Sequence, residues 1–189
     1  MNTVIEPCCY SKQLTANLEE AERGGGVLHF FSFSDWDTDE LIPWTLGSVP
    51  GCEAVLCLVQ LDVRTLSVLS QMMRRTYISD RANGTTSYVV NHFTLITQPS
   101  RQDAQAQRDE ISSQLGVFIE EGRVTVCEDL VGFRCLAASN GKRSLVIQGS
   151  LNQTHMEPCT QMYTMTTTKQ AYSQAMEMLA SKKRIKSIF

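Results

Sequence analysis

The 189-residue sequence predicts an α/β domain: a mixed β-sheet flanked by helices on both faces. Three observations predict it. Apolar runs at 27–33, 54–61 and 88–97 read as strands buried on both sides. Segments with helical spacing alternate with them, which is the pattern of a sheet with covering helices. After residue 123 the apolar segments shorten and tight turns join them, which adds an antiparallel part.

Each element has its own warrant. Ser11 to Arg23 places Leu14, Leu18 and Ala21 on one helical face, and Gly24-Gly25-Gly26 stops that helix. Val27 to Phe33 is the first strand. The acidic stretch Asp35 to Asp39 suits a loop that caps a short helix at 40–46. Ala54 to Leu61 is the next strand, and Asp62 caps a helix from Val63 to Arg75 with Leu66, Leu69 and Met73 on one face. Ile78 to Ser87 is polar and contains glycine, so it reads as a loop. Tyr88 to Thr97 is the third strand. The helix at 100–115 carries sparse apolar positions (Ala104, Ile111, Leu115) and so covers a sheet face. Short strands are expected at 123–128, 133–138, 144–148 and 163–168, with Asn140-Gly141 as a turn between two of them. A helix at 169–179 closes the domain. Residues 1–23 are an N-terminal lead-in, 24–180 the domain, and 181–189 a basic C-terminal tail containing Lys182, Lys183, Arg184 and Lys186.

Composition narrows the function. The net charge is −3 and the pI about 5.6, against a protein dominated by nucleic-acid contact, though a local basic patch remains compatible. The seven cysteines (Cys8, Cys9, Cys52, Cys57, Cys127, Cys135, Cys159) are odd in number and lack a framework spacing. They read as reduced thiols, and the expected location is the cytoplasm. No run approaches the roughly 18 apolar residues of a membrane span. No cofactor motif is present: Gly24-Gly25-Gly26 precedes a strand and lacks the Lys-Ser/Thr of a phosphate loop. Asp35, Asp37, Asp39 and Glu40 read as helix caps rather than as a metal site. His29 and His92 lie in strands and read as hydrogen-bonded or packed. His155 lies in a polar loop, where it can face a ligand or simply solvent. A Cys–His nucleophile pair, Cys159 or Cys135 with His155, is not selected by any spacing.

The last third carries the sharpest pattern. Phe133-Arg134-Cys135-Leu136-Ala137-Ala138-Ser139-Asn140 precedes a turn, and Ser144-Leu145-Val146-Ile147-Gln148-Gly149-Ser150-Leu151-Asn152 follows it. A polar loop, a short strand and a helix complete the order. This order resembles one lobe of the phospholipase D-like superfamily, over residues 24–180. There, a strand carrying His-x-Lys leads through an acidic turn to a strand ending in Gly-Ser-x-Asn. Glycine admits a close phosphate, and Ser and Asn hydrogen-bond its oxygens. The resemblance therefore implies Gly149, Ser150 and Asn152 as ligand-binding candidates, with His155 beside them.

The nucleophile is missing. The family's usual spacing puts Cys135 at the histidine and Ala137 at the lysine. Two extra turn residues put Phe133 and Cys135 there instead, with Asn140 at the acidic position. The resemblance thus implies a non-catalytic domain acting in binding or assembly. Its partner would be nucleic acid, a phosphorylated ligand or another protein. Because such lobes pair, a homodimer is implied. The rival is a phosphodiesterase or nuclease with a reworked site around Ser150, Asn152 and His155. A third reading is an unrelated α/β protein with a chance Gly-Ser-x-Asn.

Overall fold

A computed structural model describes residues 9–33, 40–58, 61–98, 104–128, 134–149 and 160–180. The chain starts with helix α1 (Cys9–Arg23), whose Leu14, Leu18 and Ala21 are buried, as their spacing requires. Gly26, at a φ of 88°, turns it into strand β1 (Val27–Phe33). Helix α2 (Ile42–Ser48) opens with Pro43 in its first turn, where proline's missing N–H costs nothing. Strand β2 (Cys52–Leu58) leads to helix α3 (Val63–Arg74). The Asp62 carboxylate accepts the Thr65 N–H at 2.7 Å, the expected cap.

The polar stretch 78–87, expected as a loop, is ordered differently. Strand β3 (Thr76–Asp80) and strand β4 (Thr85–Tyr88) form an antiparallel ribbon separate from the main sheet. It was hidden because its strands carry little apolar surface: Tyr77 packs against the core, whereas Ile78 and Tyr88 are exposed. The ribbon is seated at its base. The Tyr77 hydroxyl lies only 2.7 Å from where a Cβ on Gly51 would be, and Gly51 has a φ of 77°. Glycine is required there twice, for the backbone and for the space.

Strand β5 (Val90–Thr97), helix α4 (Ala104–Glu120) and strand β6 (Val124–Glu128) follow. Strands β7 (Cys135–Ser139) and β8 (Ser144–Gly149) form a hairpin. The Asn140 side chain accepts the Lys142 and Arg143 N–H groups at 3.0 and 2.9 Å, and Gly141 takes a φ of 81°. Strand β9 (Thr160–Thr166) and helix α5 (Lys169–Ala180) complete the described chain.

The main sheet has seven strands in the order β1-β9-β8-β7-β2-β5-β6. β2, β5 and β6 are parallel, and all other neighbours are antiparallel. The sheet is therefore mixed, and helices cover both faces. Alternation along each strand sends Ala54, Leu56, Phe93, Leu95, Val126, Leu136, Ala138, Leu145 and Ile147 into the core under α1 to α4. The opposite residues Val55, Cys57, Ile96, Cys127, Cys135, Ala137 and Val146 face the side that carries α5, through Tyr172, Ala175 and Met176.

Arg123 ties the ribbon to the sheet. Its guanidinium lies 3.7 Å from the centre of the Tyr88 ring and donates to the Met73 and Val90 carbonyls, both at 2.8 Å. A planar cation suits this role, since one face stacks while the edge donates. Among the described residues no helix is long and apolar enough to cross a membrane.

Candidate functional site

Register assembles the site. The last residues of β1, β2, β5, β6 and β8 and the first residues of β7 and β9 all lie at one edge of the sheet, its carboxyl edge. In sheets with parallel strands, ligands bind beyond such an edge. Gly149, the last residue of β8, is there; its N–H points to the Arg134 carbonyl at 3.5 Å, and it sits opposite Tyr163 of β9. Ser150, Asn152 and His155 follow it and lie outside the described residues. So do Phe133, Cys159, Asp35, Asp37, Asp39 and the tail 181–189.

One row of residues crosses all seven strands beside this edge, on the α5 side. From β1 to β6 it reads His29, Thr164, Gln148, Cys135, Cys57, Ile96 and Cys127. The row changes character along its length. At one end it is polar: His29 is exposed, and its Nδ1 lies 2.9 Å from the Thr164 hydroxyl. At the other end it is dry: Cys135, Cys57, Ile96 and Cys127 are all buried. The sequence named His29 and Cys135 separately. It gave no sign that they share a row, because four strands have to pair before they do.

Burial makes Cys135 chemically quiet. Loss of solvation pushes its thiol up to about 12, with the neighbouring Cys57 adding in the same direction. A thiol attacks as the thiolate, so this one is protonated at neutral pH and is a poor nucleophile. Ala137, two residues on, is equally buried on the same side. At the family's usual spacing these are the positions where the resemblance expects the histidine and the lysine; the other register pairs Cys135 with Phe133, which lies outside the described residues. Cys135 and Ala137 both lie on the α5 side.

Polar partners flank the edge at β6. Arg108 of α4 grips Glu128 with two donors, at 2.8 and 2.5 Å, and its guanidinium is held protonated by that carboxylate. Gln107 donates to the Thr97 hydroxyl at 3.0 Å. These bonds fix the start of α4 over the ends of β5 and β6. Among the described residues, no group of three or more His, Cys, Asp or Glu side chains is placed to hold a metal ion.

A concavity not foreseen in the sequence lies at the opposite, amino edge. It measures about 360 Å³ and is lined by Gly51, Glu53, Asn91, Ser139, Asn140, Gly141 and Tyr172. Most of its polar groups are already engaged. The Asn91 and Asn140 amides donate to the Gly51 and Pro50 carbonyls at 3.0 Å, and the Ser139 hydroxyl pairs with Ser144 at 2.9 Å. Burial raises the Tyr172 phenol, with Glu53 adding to it. His92 sits near this edge and pairs with the Thr125 hydroxyl at 3.1 Å, the hydrogen-bonded role expected of it.

No family model and no curated protein matches the sequence. Among solved structures, the chain is similar to TrmBL2, an archaeal chromatin protein whose structure shows a novel mode of DNA binding. The TM-score is 0.49 at 10% identity, over 92% of this chain. The match covers 64% of TrmBL2, so this chain spans less than two thirds of that protein.

Proposed function

We propose that this chain is a non-catalytic phospholipase D-like domain, working in binding or assembly as a homodimer. Its ligand would be nucleic acid or a phosphorylated group, met at the carboxyl edge around Gly149. One observation carries the non-catalytic part. At the family's usual spacing the resemblance sets Cys135 and Ala137 against its histidine and lysine, and both are fully buried on the α5 side. A buried thiol with a pKa near 12 and a methyl group supply neither an attacking group nor a cation for a phosphoryl oxygen.

The order of elements supports the family reading. β7, a tight turn, β8 ending in Gly149, then β9 and α5 repeat the order that the resemblance implies. The test is a hydrolysis assay on duplex DNA and on bis(p-nitrophenyl) phosphate. The expected result is no turnover above background. Turnover abolished by both Asn152→Ala and His155→Ala would overturn the proposal in favour of a reworked phosphodiesterase. Sedimentation tests the dimer, and a strict monomer at high micromolar concentration would remove it.

A further inference from the structure

The β3–β4 ribbon is the part of the described chain least explained by folding. Its base is fixed by Tyr77 on Gly51, by Tyr88 under Arg123, and by the Val89 N–H on the Arg75 carbonyl at 2.9 Å. Beyond the base it projects from the amino edge: Ile78, Ser79 and every residue from Arg81 to Thr86 are exposed. A two-stranded ribbon is marginal in water when it packs on nothing. This one is braced internally instead. The Asp80 carboxylate accepts the Ala82 N–H at 2.9 Å and the Asn83 amide at 2.6 Å. The Ser87 hydroxyl donates to Ser79 at 2.8 Å, and Ser79 donates to the Thr85 carbonyl at 3.1 Å.

Charge sets the ribbon apart. Between Arg74 and Tyr88 stand Arg74, Arg75 and Arg81 against the single acid Asp80, in a chain of net charge −3. Asp80 is turned inward on its own turn, and those hydrogen bonds hold its carboxyl below the ordinary aspartate range. Among the described residues, Arg75 and Arg81 have no ion pair. Hydroxyl groups run along both strands: Thr76 and Ser79 on β3, and Thr85, Thr86 and Ser87 on β4. The ribbon thus offers cations and hydrogen-bonding groups on a braced, narrow support. Two strands about 4.8 Å apart, with their side chains, fit a groove about 12 Å wide, the major groove of B-form DNA.

We infer that the β3–β4 ribbon is a DNA contact, entering the major groove of the duplex with Arg75 and Arg81 on backbone phosphates. It goes beyond the carboxyl-edge reading, because the ribbon leaves the sheet at the opposite edge. The two stand or fall separately. A-form RNA closes its major groove to such an element, so the duplex should be DNA.

The test is titration of the full chain with a 20-base-pair DNA duplex and the equivalent RNA duplex, across a range of salt. Wild type should bind the DNA more tightly than the RNA. Arg75→Ala combined with Arg81→Ala should lower DNA affinity at least tenfold at about 0.1 M salt. Each lost phosphate contact removes about 0.9 from the slope of log K against log salt, so the slope should fall by about 2. Both arginines lie outside the core, and circular dichroism checks that the fold is kept. Lys12→Ala, an exposed cation on α1, should change neither quantity. Absence of DNA binding by wild type would overturn the inference while leaving the hydrolysis result untouched. Equal losses from Lys12→Ala, equal or tighter binding of RNA, or an unchanged slope in the double variant would also overturn it. So would a dimer that the double variant turns into a monomer without DNA, which would make the ribbon a protein interface.

Discussion

Cys135 shows how much a single buried group can decide. Its side chain is small and apolar enough to pack, and packing is what removes its chemistry. The thiol of Cys52 is also pushed up to about 12, again chiefly by burial. The consequence is a pH dependence with a definite sign. In the unfolded chain both thiols ionise near the ordinary cysteine value of about 8.5. In the folded chain they stay protonated to about 12, so the folded state holds more protons in that interval. Stability is therefore untouched by these groups below about pH 8.5 and falls as pH rises above it. The fall is about 1.4 kcal/mol per pH unit for each thiol. Urea midpoints at pH 7.5 and 9.5 measure it, and Cys135→Ala should make the difference smaller. Equal midpoints would contradict the burial of both thiols. The sequence made the cysteines visible as reduced hydrophobes, but only strand pairing shows that Cys135, Cys57 and Cys127 share one dry row.

At the scale of the element, helices and strands differ in how openly the sequence declares them. α3 was legible because a cap at Asp62 and an apolar stripe of Leu66, Leu69 and Met73 coincide. Asp62→Ala should accordingly cost about 1 kcal/mol, read from chemical denaturation; no loss would mean that water caps the helix equally well. The ribbon was not legible, and the reason is physical. Strand patterns are recognised by one apolar face, and of β3 and β4 only Tyr77 packs against the core. Two signals were present nonetheless: the β-forming residues Thr76, Tyr77, Ile78, Thr85, Thr86 and Tyr88, and the dipeptide Asn83-Gly84 at the turn. The site divides in the same way. Gly149 was named from its motif, and it is the last residue of β8. His29, Thr164 and Gln148 were not grouped with it, since their nearness exists only through cross-strand register.

Across the whole molecule, the antiparallel and parallel halves of the sheet meet at β2. β7 lies antiparallel beside β2 at that seam, with Leu136 opposite Leu56. Leu136 is fully buried among residues from helices and neighbouring strands. Leu136→Ala should cost about 2–5 kcal/mol, measured by denaturant unfolding. Domains of this size rest on a total of about 5–15 kcal/mol, so this one truncation would remove a large share. A loss under about 1 kcal/mol would mean that the seam collapses around the cavity.

The pairing of β1 with β9 has a consequence in time as well as in space. His29 and Thr164 face each other across 135 residues of chain. β1 is synthesised before β9 and has no other sheet neighbour among the described residues. Contacts closed over such long loops slow folding, and an unpaired strand that waits is open to wrong partners. Synthesis therefore leaves β1 waiting for β9, and the interval between them is where a chaperone would be of most use.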